Sequence, residues 1–263
     1  MDAVRDRYPE HFRRFGVRRL PMIAVATAMF ALLLFGMDRL GFFDGKLLSG
    51  MGRLVEIAGL MLPPDPGSWA HARAYGMALI ETVAIALLGT LSAAVLALPV
   101  GLLAARNVTA QRIVRFLARR SLDTIRSVDI LIWALIWINV VGLGPFAGAL
   151  AIMTSDIGSF GKLFSEAIEA ADRKPVEGIT STGGGHFMGV RFGILPEVFP
   201  VLASQILYYF ESNTRSATII GIVGAGGIGL HLAEAIRTLE LQQTSFIILM
   251  ILVTVAAIDL VSS

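Results

Sequence analysis

The chain of 263 residues is 55% hydrophobic and 16% charged, with a formal net charge of +2 and a mean hydropathy of +0.72. This is the balance of a polytopic membrane protein, and long apolar runs without strict alternation exclude a β-barrel. With no cysteine and four scattered histidines, disulfides, thiol nucleophiles and clustered metal ligands are excluded as well.

In chain order, six apolar stretches predict an all-α protein with about six transmembrane helices, near residues 21–37, 77–103, 128–144, 146–164, 198–222 and 244–262. The first follows a basic stretch, but no small-x-small cleavage site follows Met37, so an uncleaved first helix is expected, not a signal peptide. Residues 38–76 carry Asp38, Asp44, Glu56 and the turn-rich run Pro63-Pro64-Asp65-Pro66-Gly67. They read as an external loop with an amphipathic piece around Leu47 to Leu62.

Arginines and lysines set the orientation. Arg5, Arg7, Arg13, Arg14, Arg18 and Arg19 precede the first span, Arg106, Arg112, Arg115, Arg119, Arg120 and Arg126 follow the second, and Lys162, Arg173, Lys174 and Arg191 lie in or beside the segment after the fourth. Six spans put all three groups on one side, and the positive-inside rule makes that side the cytoplasm, with both termini there. The clusters read as topology and anionic-lipid contact, with no nucleic-acid role.

The segment from about 165 to 197 interrupts the apolar pattern on that same side. Gly183-Gly184-Gly185 ends one helix and lets the chain turn, so two short helical pieces can lie against a partner; Pro196 restarts the chain in the first turn of the fifth span. Glu177 is placed near the first piece as an acceptor for a partner or a cap for neighbouring amides.

The spacing Glu177, Gly183, Leu195, Pro196 resembles the cytoplasmic loop of permease subunits of ATP-binding-cassette importers, written Glu-Ala-Ala, three residues, Gly, nine residues, Ile-x-Leu-Pro. The chain departs from it at Gly178-Ile179 for Ala-Ala and at Gly193 for Ile. The stretches Val141 to Gly148, Glu166 to Ala171, Phe210 to Thr218 and Gly224 to Gly229, with Gln242-Gln243-Thr244, are similar to the phosphonate-transporter permease, and the likeness runs from about Thr82 to Asp259. Members of that family often continue into a basic tail, whereas this chain stops at Ser262-Ser263, so its natural end stays open.

The resemblance implies a type I importer permease fold: an amino-terminal segment, first helix and external loop over 1–76, then the permease domain over 77–263. It further implies no covalent chemistry and no cofactor in this chain, with ATP and Mg used by two copies of a separate ATPase. Glu177, Gly178, Gly183, Gly184, Leu195 and Pro196 form the loop that docks on the ATPase. A periplasmic phosphonate-binding protein delivers the substrate, and one coupling loop per chain makes a homodimer the economical assembly.

Two further features stay open at this stage. Glu211 and Arg215, four apart in the fifth span, either pair with each other, or Arg215 or Asn213 lines the anion pathway while Glu211 positions it, with Ser216 and Thr218 in the same pathway group. Gly224, Gly226 and Gly227 break that helix at its outer mouth; they imitate a dinucleotide fingerprint but lie between two membrane spans. Asp156 reads as a helix-to-helix hydrogen bond or a cavity residue, Glu81 as an interface residue, Asp129 as a partner for Arg126, and Trp133 with Trp137 as packing. The rival functions are a permease for phosphite, phosphate or another small anion, an ion-gradient-driven secondary transporter, and, more remotely, a soluble oxidoreductase.

Overall fold

A computed structural model of the chain describes residues 20–42 and 46–262. The six amino-terminal arginines, Asp44 and Ser263 lie outside the described residues. Every regular element among those described is a helix: α1 Leu20–Arg39, α2 Lys46–Leu60, α3 Trp69–Ala104, α4 Arg112–Arg126, α5 Ile130–Val141, α6 Pro145–Ala170, α7 Lys174–Ser181, α8 His186–Met188, a π-helical turn Gly189–Ile194, α9 Leu195–Ile222, α10 Ile228–Arg237 and α11 Leu241–Ser262. They fall into two compact units, Met1–Gly59 and Leu60–Ser263.

In the first unit α1 is a 20-residue apolar helix whose side chains, Met22, Phe30 and Leu32 among them, are exposed. That is the state expected of a helix solvated by lipid. α2 is the amphipathic piece read from the sequence.

The second unit is organised on α3. Ser68 caps its start by accepting from the His71 N–H at 3.2 Å, so the helix begins eight residues before the expected span and runs for 36 residues. One face carries Gly89, Ala93, Ala97 and Gly101, a small residue every fourth position, and α6 packs into it. A Cβ at Gly89 would stand 2.7 Å from the Ile152 Cβ, and one at Gly101 would stand 3.1 Å from the Phe164 Cβ, so the two backbones approach as only small residues allow. Three apolar clusters are strung along α3: Tyr75, Ala78, Ile228 and Ile247 at its start, Ile85, Ala86, Ile152 and Ile220 in the middle, and Ala93, Phe160, Phe164 and Ile194 toward its end.

Helices stand at all six expected spans, with two differences. α5 has 12 residues, about 18 Å, too short for a hydrocarbon layer about 30 Å thick. It follows the arginine-rich α4 at a bend of 87°, and only the bent pair together reaches the length and apolarity of a span. Asp129 makes the corner by accepting from the Leu131 N–H at 2.8 Å; it caps α5 instead of answering Arg126. The second difference is α6, which carries Asp156, Lys162 and Glu166 and is not among the helices apolar enough to cross on composition. It lies against α3, α4, α5 and α9, which bury Asp156, while Lys162 and Glu166 nearer its end pair with each other at 3.9 Å and stay partly exposed. Helices long and apolar enough among the described residues are α1, α3, the run His186–Ile222 and α11.

Candidate functional site

The loop between α6 and α9 folds as two short helical pieces on a tied base. Lys174 and Pro175 open α7, and the Asp172 N–H donates to Glu197 Oε1 at 2.8 Å, which clamps the loop's entry to the start of α9. α7 ends where Gly183, at φ +86°, lets its own N–H reach Thr180 O at 3.0 Å and the Gly184 N–H reach Ile179 O at 2.9 Å, the paired bonds of a Schellman stop. The three expected glycines therefore break the helix, and Gly183 is the one whose conformation demands glycine.

Beyond the turn, α8 is tethered by a 2.8 Å hydrogen bond between His186 Nε2 and Val108 O on the α3–α4 connection. The π-helical turn follows and leads into α9, with Pro196 in its first turn. Glu177 and Gly178 are exposed on α7, and nothing lies within 4 Å of a Cβ built at Gly178. Phe187, 73% exposed, Met188 and Phe192 are exposed on the second piece. A cavity of about 260 Å³ sits at the foot of this surface, lined by Asn107, Asp172, Arg173, Val176, Glu177 and Ile194. Acidic, glycine-smooth and aromatic groups thus share one exposed loop.

The π turn also accounts for the odd residues of the loop. Val176 sits in its crook: Cβ atoms built at Gly189 and Gly193 would each stand 3.1 Å from Val176 methyls, and the one at Gly193 also 3.4 Å from Ile179 Cδ1. Ile179 is larger than the general pattern's alanine and Gly193 smaller than its isoleucine, and the two face each other across one contact. The departures compensate in volume.

Below the loop, ionic contacts fasten the ends of three helices. Glu169 Oε1 accepts from Arg119 Nη2 at 2.5 Å and from the Arg106 N–H at 2.6 Å, and Arg119 Nε donates to Ala104 O at 2.9 Å. Arg119, counted in the sequence as a topology residue, joins α3, α4 and α6.

Inside the bundle, α9 has two opposite polar faces. Asn213 is buried at 4% exposure; its Nδ2 donates to Thr90 Oγ1 at 2.8 Å and to Asp156 Oδ2 at 2.5 Å, joining α9, α3 and α6 at one level. Asp156 is therefore a helix-to-helix hydrogen-bonding residue, and Trp137 does likewise through Nε1 to Thr154 Oγ1 at 3.0 Å. Glu211 and Arg215 pair at 3.0 Å on the other face, with the Arg215 side chain 54% exposed and that of Glu211 14%. Residues two apart on a helix point nearly opposite ways, which separates Asn213 from this pair. Ser216 bonds back to Ser212 O, and buried Thr218 to Thr214 O, each at 3.3 Å.

The glycine run is likewise spoken for. It forms the turn between α9 and α10, with Gly224, Gly226 and Gly227 all at positive φ. The Gly227 N–H donates to Glu81 Oε1 at 2.9 Å and the Ile228 N–H to Thr82 Oγ1 at 2.8 Å, so the opening amides of α10 are held by α3. Glu81, read from sequence as an interface residue, is an internal counter-charge for this helix start. A helix, not a strand, precedes the run, and the dinucleotide reading fails on that.

Residues 97–263 match the family described as the binding-protein-dependent transport system inner membrane component. The chain belongs to this family. It is a multi-pass inner-membrane permease subunit of an ATP-binding-cassette importer, and hydrolysis of ATP falls to a separate ATPase, not to the permease. The permease is 36% identical over 252 residues to the phosphite transport system permease protein PtxC of Stutzerimonas stutzeri, covering 95% of this chain and 90% of that one. It is 50% identical over 113 residues to an Escherichia coli K12 protein with the provisional name cryptic phosphonate transport system permease protein, covering 43% of this chain and 93% of that one. Its fold is that of a chain from the MetNI methionine ABC transporter in inward-facing conformations, at a TM-score of 0.64 and 19% identity over 74% of this chain and 95% of that chain.

Proposed function

We propose that the permease carries a phosphorus oxyanion, phosphonate first among them, through the inner membrane as a two-copy assembly. A soluble binding protein delivers the anion outside, and an ATPase drives transport from inside. The observation that carries the reading is the segment between α6 and α9, residues 171–194, with its exposed face. It presents Glu177, Gly178 and the turn at Gly183-Gly184 on a base clamped by Glu197, His186 and Glu169, so force applied there passes to α3, α6 and α9. The substrate class rests on relatives named for phosphite and for phosphonate transport, whose ligands share tetrahedral phosphorus and anionic oxygens. Two copies supply two loops for a pair of ATPases, and the arginines flanking this loop favour the cytoplasmic side for it.

In this mechanism, closure of the ATPases on ATP draws the two loops together and tilts α6 and α9 from inward-open to outward-open. ATP and Mg stay with the ATPase. Reversing the charge at Glu177 tests the docking. In vesicles holding the permease with its ATPase and binding protein, Glu177→Lys is expected to lower ATP-driven uptake and binding-protein-stimulated hydrolysis about tenfold or more, since like charges at an interface cost several kcal/mol. Uptake and hydrolysis that both survive Glu177→Lys would overturn the docking assignment. Uptake that persists without the ATPase and collapses with an uncoupler would instead make this a secondary transporter.

A further inference from the structure

We infer that Arg215 is the anion-contacting residue of the passage, held in place by Glu211, and that a second copy of the chain completes the site. The inference rests on the reading of the permease as an anion carrier and adds the residues that meet the anion.

Depth is the first consideration. Asn213 is bonded to Thr90, which stands about 21 Å from the Ala104 end of α3 and about 31 Å from its Trp69 end. Glu211 and Arg215, within one turn of Asn213, lie at the same level, inside a hydrocarbon layer about 30 Å thick. A charged group facing lipid there is costly, so it turns toward protein or water. Yet the Arg215 side chain is half exposed on the single chain, and its ion-pair partner, Glu211, is itself mostly covered. A guanidinium in that position faces either lipid, at that cost, or a wet surface.

Two polar neighbours on α9, Ser204 and Tyr208, favour the wet surface. Ser204, Tyr208, Glu211 and Arg215 fall within a stripe about 60° wide at 100° per residue, and Ser204, Tyr208 and Arg215 are exposed along it. A hydroxyl, a phenol and an ion pair share that line with exposed Ile222 at its centre, and exposed Val201 and Ile219 border it about 20° from Tyr208, so the open face of α9 mixes polar and apolar side chains. Within its own unit no described helix covers Ser204, Tyr208 or Arg215, and a second copy across a water-filled gap is the partner assigned to keep them from lipid.

The pair also suits passage better than storage. Glu211 takes one guanidinium nitrogen at 3.0 Å, leaving other donors of the fork toward the gap, where two oxygens of a phosphorus oxyanion can accept them. The carboxylate offsets part of the positive charge, so the anion meets a site weak enough to leave. Glu211 is a positioning residue in this account and Arg215 the contacting one. The opening amides of α10 are not available to share the task, since Glu81 and Thr82 hold them.

The chain has no cysteine, so a single introduced thiol reports on one place. In proteoliposomes holding the full complex with its ATPase, Tyr208→Cys is expected to react with a water-soluble anionic thiol reagent, while Val95→Cys on the exposed apolar face of α3 stays inert. Methylphosphonate is expected to slow that labelling, Arg215→Gln to abolish the protection, and Glu211→Gln to shift it to lower methylphosphonate concentrations. A bifunctional thiol reagent is expected to join two copies of the Tyr208→Cys variant through the introduced thiols. Uptake should fall about tenfold in Arg215→Gln and recover only in part in Arg215→Lys, which keeps the charge without the fork. Basal ATP hydrolysis and co-purification of the ATPase should not change. An unreactive thiol in Tyr208→Cys, or protection by methylphosphonate that persists in Arg215→Gln, overturns the inference; labelling without cross-linking overturns its two-copy part. Failure of the wild-type permease to associate with an ATPase would instead defeat the broader functional reading and leave the labelling result standing.

Discussion

Gly193→Ile is expected to uncouple the permease from ATP hydrolysis, and Ile179→Ala to restore part of that coupling when combined with it. The position looks permissive from the family pattern, which places isoleucine there. In this chain a Cβ at 193 already stands 3.1 Å from Val176 Cγ2 and 3.3 Å from the Val176 backbone nitrogen, both tight, and 3.4 Å from Ile179 Cδ1. An isoleucine adds three further carbons to that contact, and a backbone nitrogen cannot swing away as a side chain can. Overpacking of this kind costs about 1–3 kcal/mol, and here the strain falls on the π turn that joins α7 and α8 to α9. The expected fall in ATP-driven uptake is about tenfold, the equivalent of about 1.4 kcal/mol. Ile179→Ala alone removes a side chain that fills the crook and is expected to be mildly damaging. Together the two changes should show a favourable coupling of about 0.5–3 kcal/mol, as contacting residues do, with recovery incomplete because Val176 still presses on position 193. Uptake assays with thermal unfolding of all four forms measure it. Strict additivity would show that the two departures from the general loop pattern are unrelated.

Asn213→Leu is expected to be the most damaging single change inside the bundle. Asn213 is the shared donor for Thr90 and Asp156, so its loss leaves a carboxyl at 4% exposure without its hydrogen bond and the Thr90 oxygen without a donor, its hydroxyl still bonded to Ala86 O. Leaving a buried polar group unmatched costs about 1–3 kcal/mol, although interhelical bonds in membranes average nearer 0.6 kcal/mol when both partners can find substitutes. The larger figure is expected here because apolar residues surround the trio. Thermal unfolding in detergent checks it, with Asp156→Asn as the comparison: an amide keeps hydrogen-bonding capacity and should lose much less. Equal losses in the two variants would mean that the charge of Asp156, not the bond to Asn213, matters.

These cases mark where sequence reading succeeded and where it ended. Membrane class, the helices at six places and the two short helical pieces of the polar loop follow from local rules. Apolar run length reports a span whatever its neighbours, and Gly183 and Pro196 act on the backbone within a few residues of themselves. The short α5 escaped because its apolar run continues through residues that Asp129 and Gly142 exclude from the helix by capping and by positive φ. On the membrane face, grouping Asn213 with Arg215 treated nearness in sequence as nearness in space, which helical geometry denies for residues two apart.

By itself the sequence determined that this is an all-helical membrane protein with one long polar loop, since hydropathy and backbone-breaking residues are properties of single segments. Only the tertiary structure decided what each polar group inside the bundle does. It set Glu81 against the start of α10, locked Asp156 and Asn213 into a three-helix joint, matched Gly193 to Ile179, and left Arg215 on the open face. For Glu81, Asp156 and Gly193 the deciding partner is 14 to 146 residues away, and no local pattern carries that information.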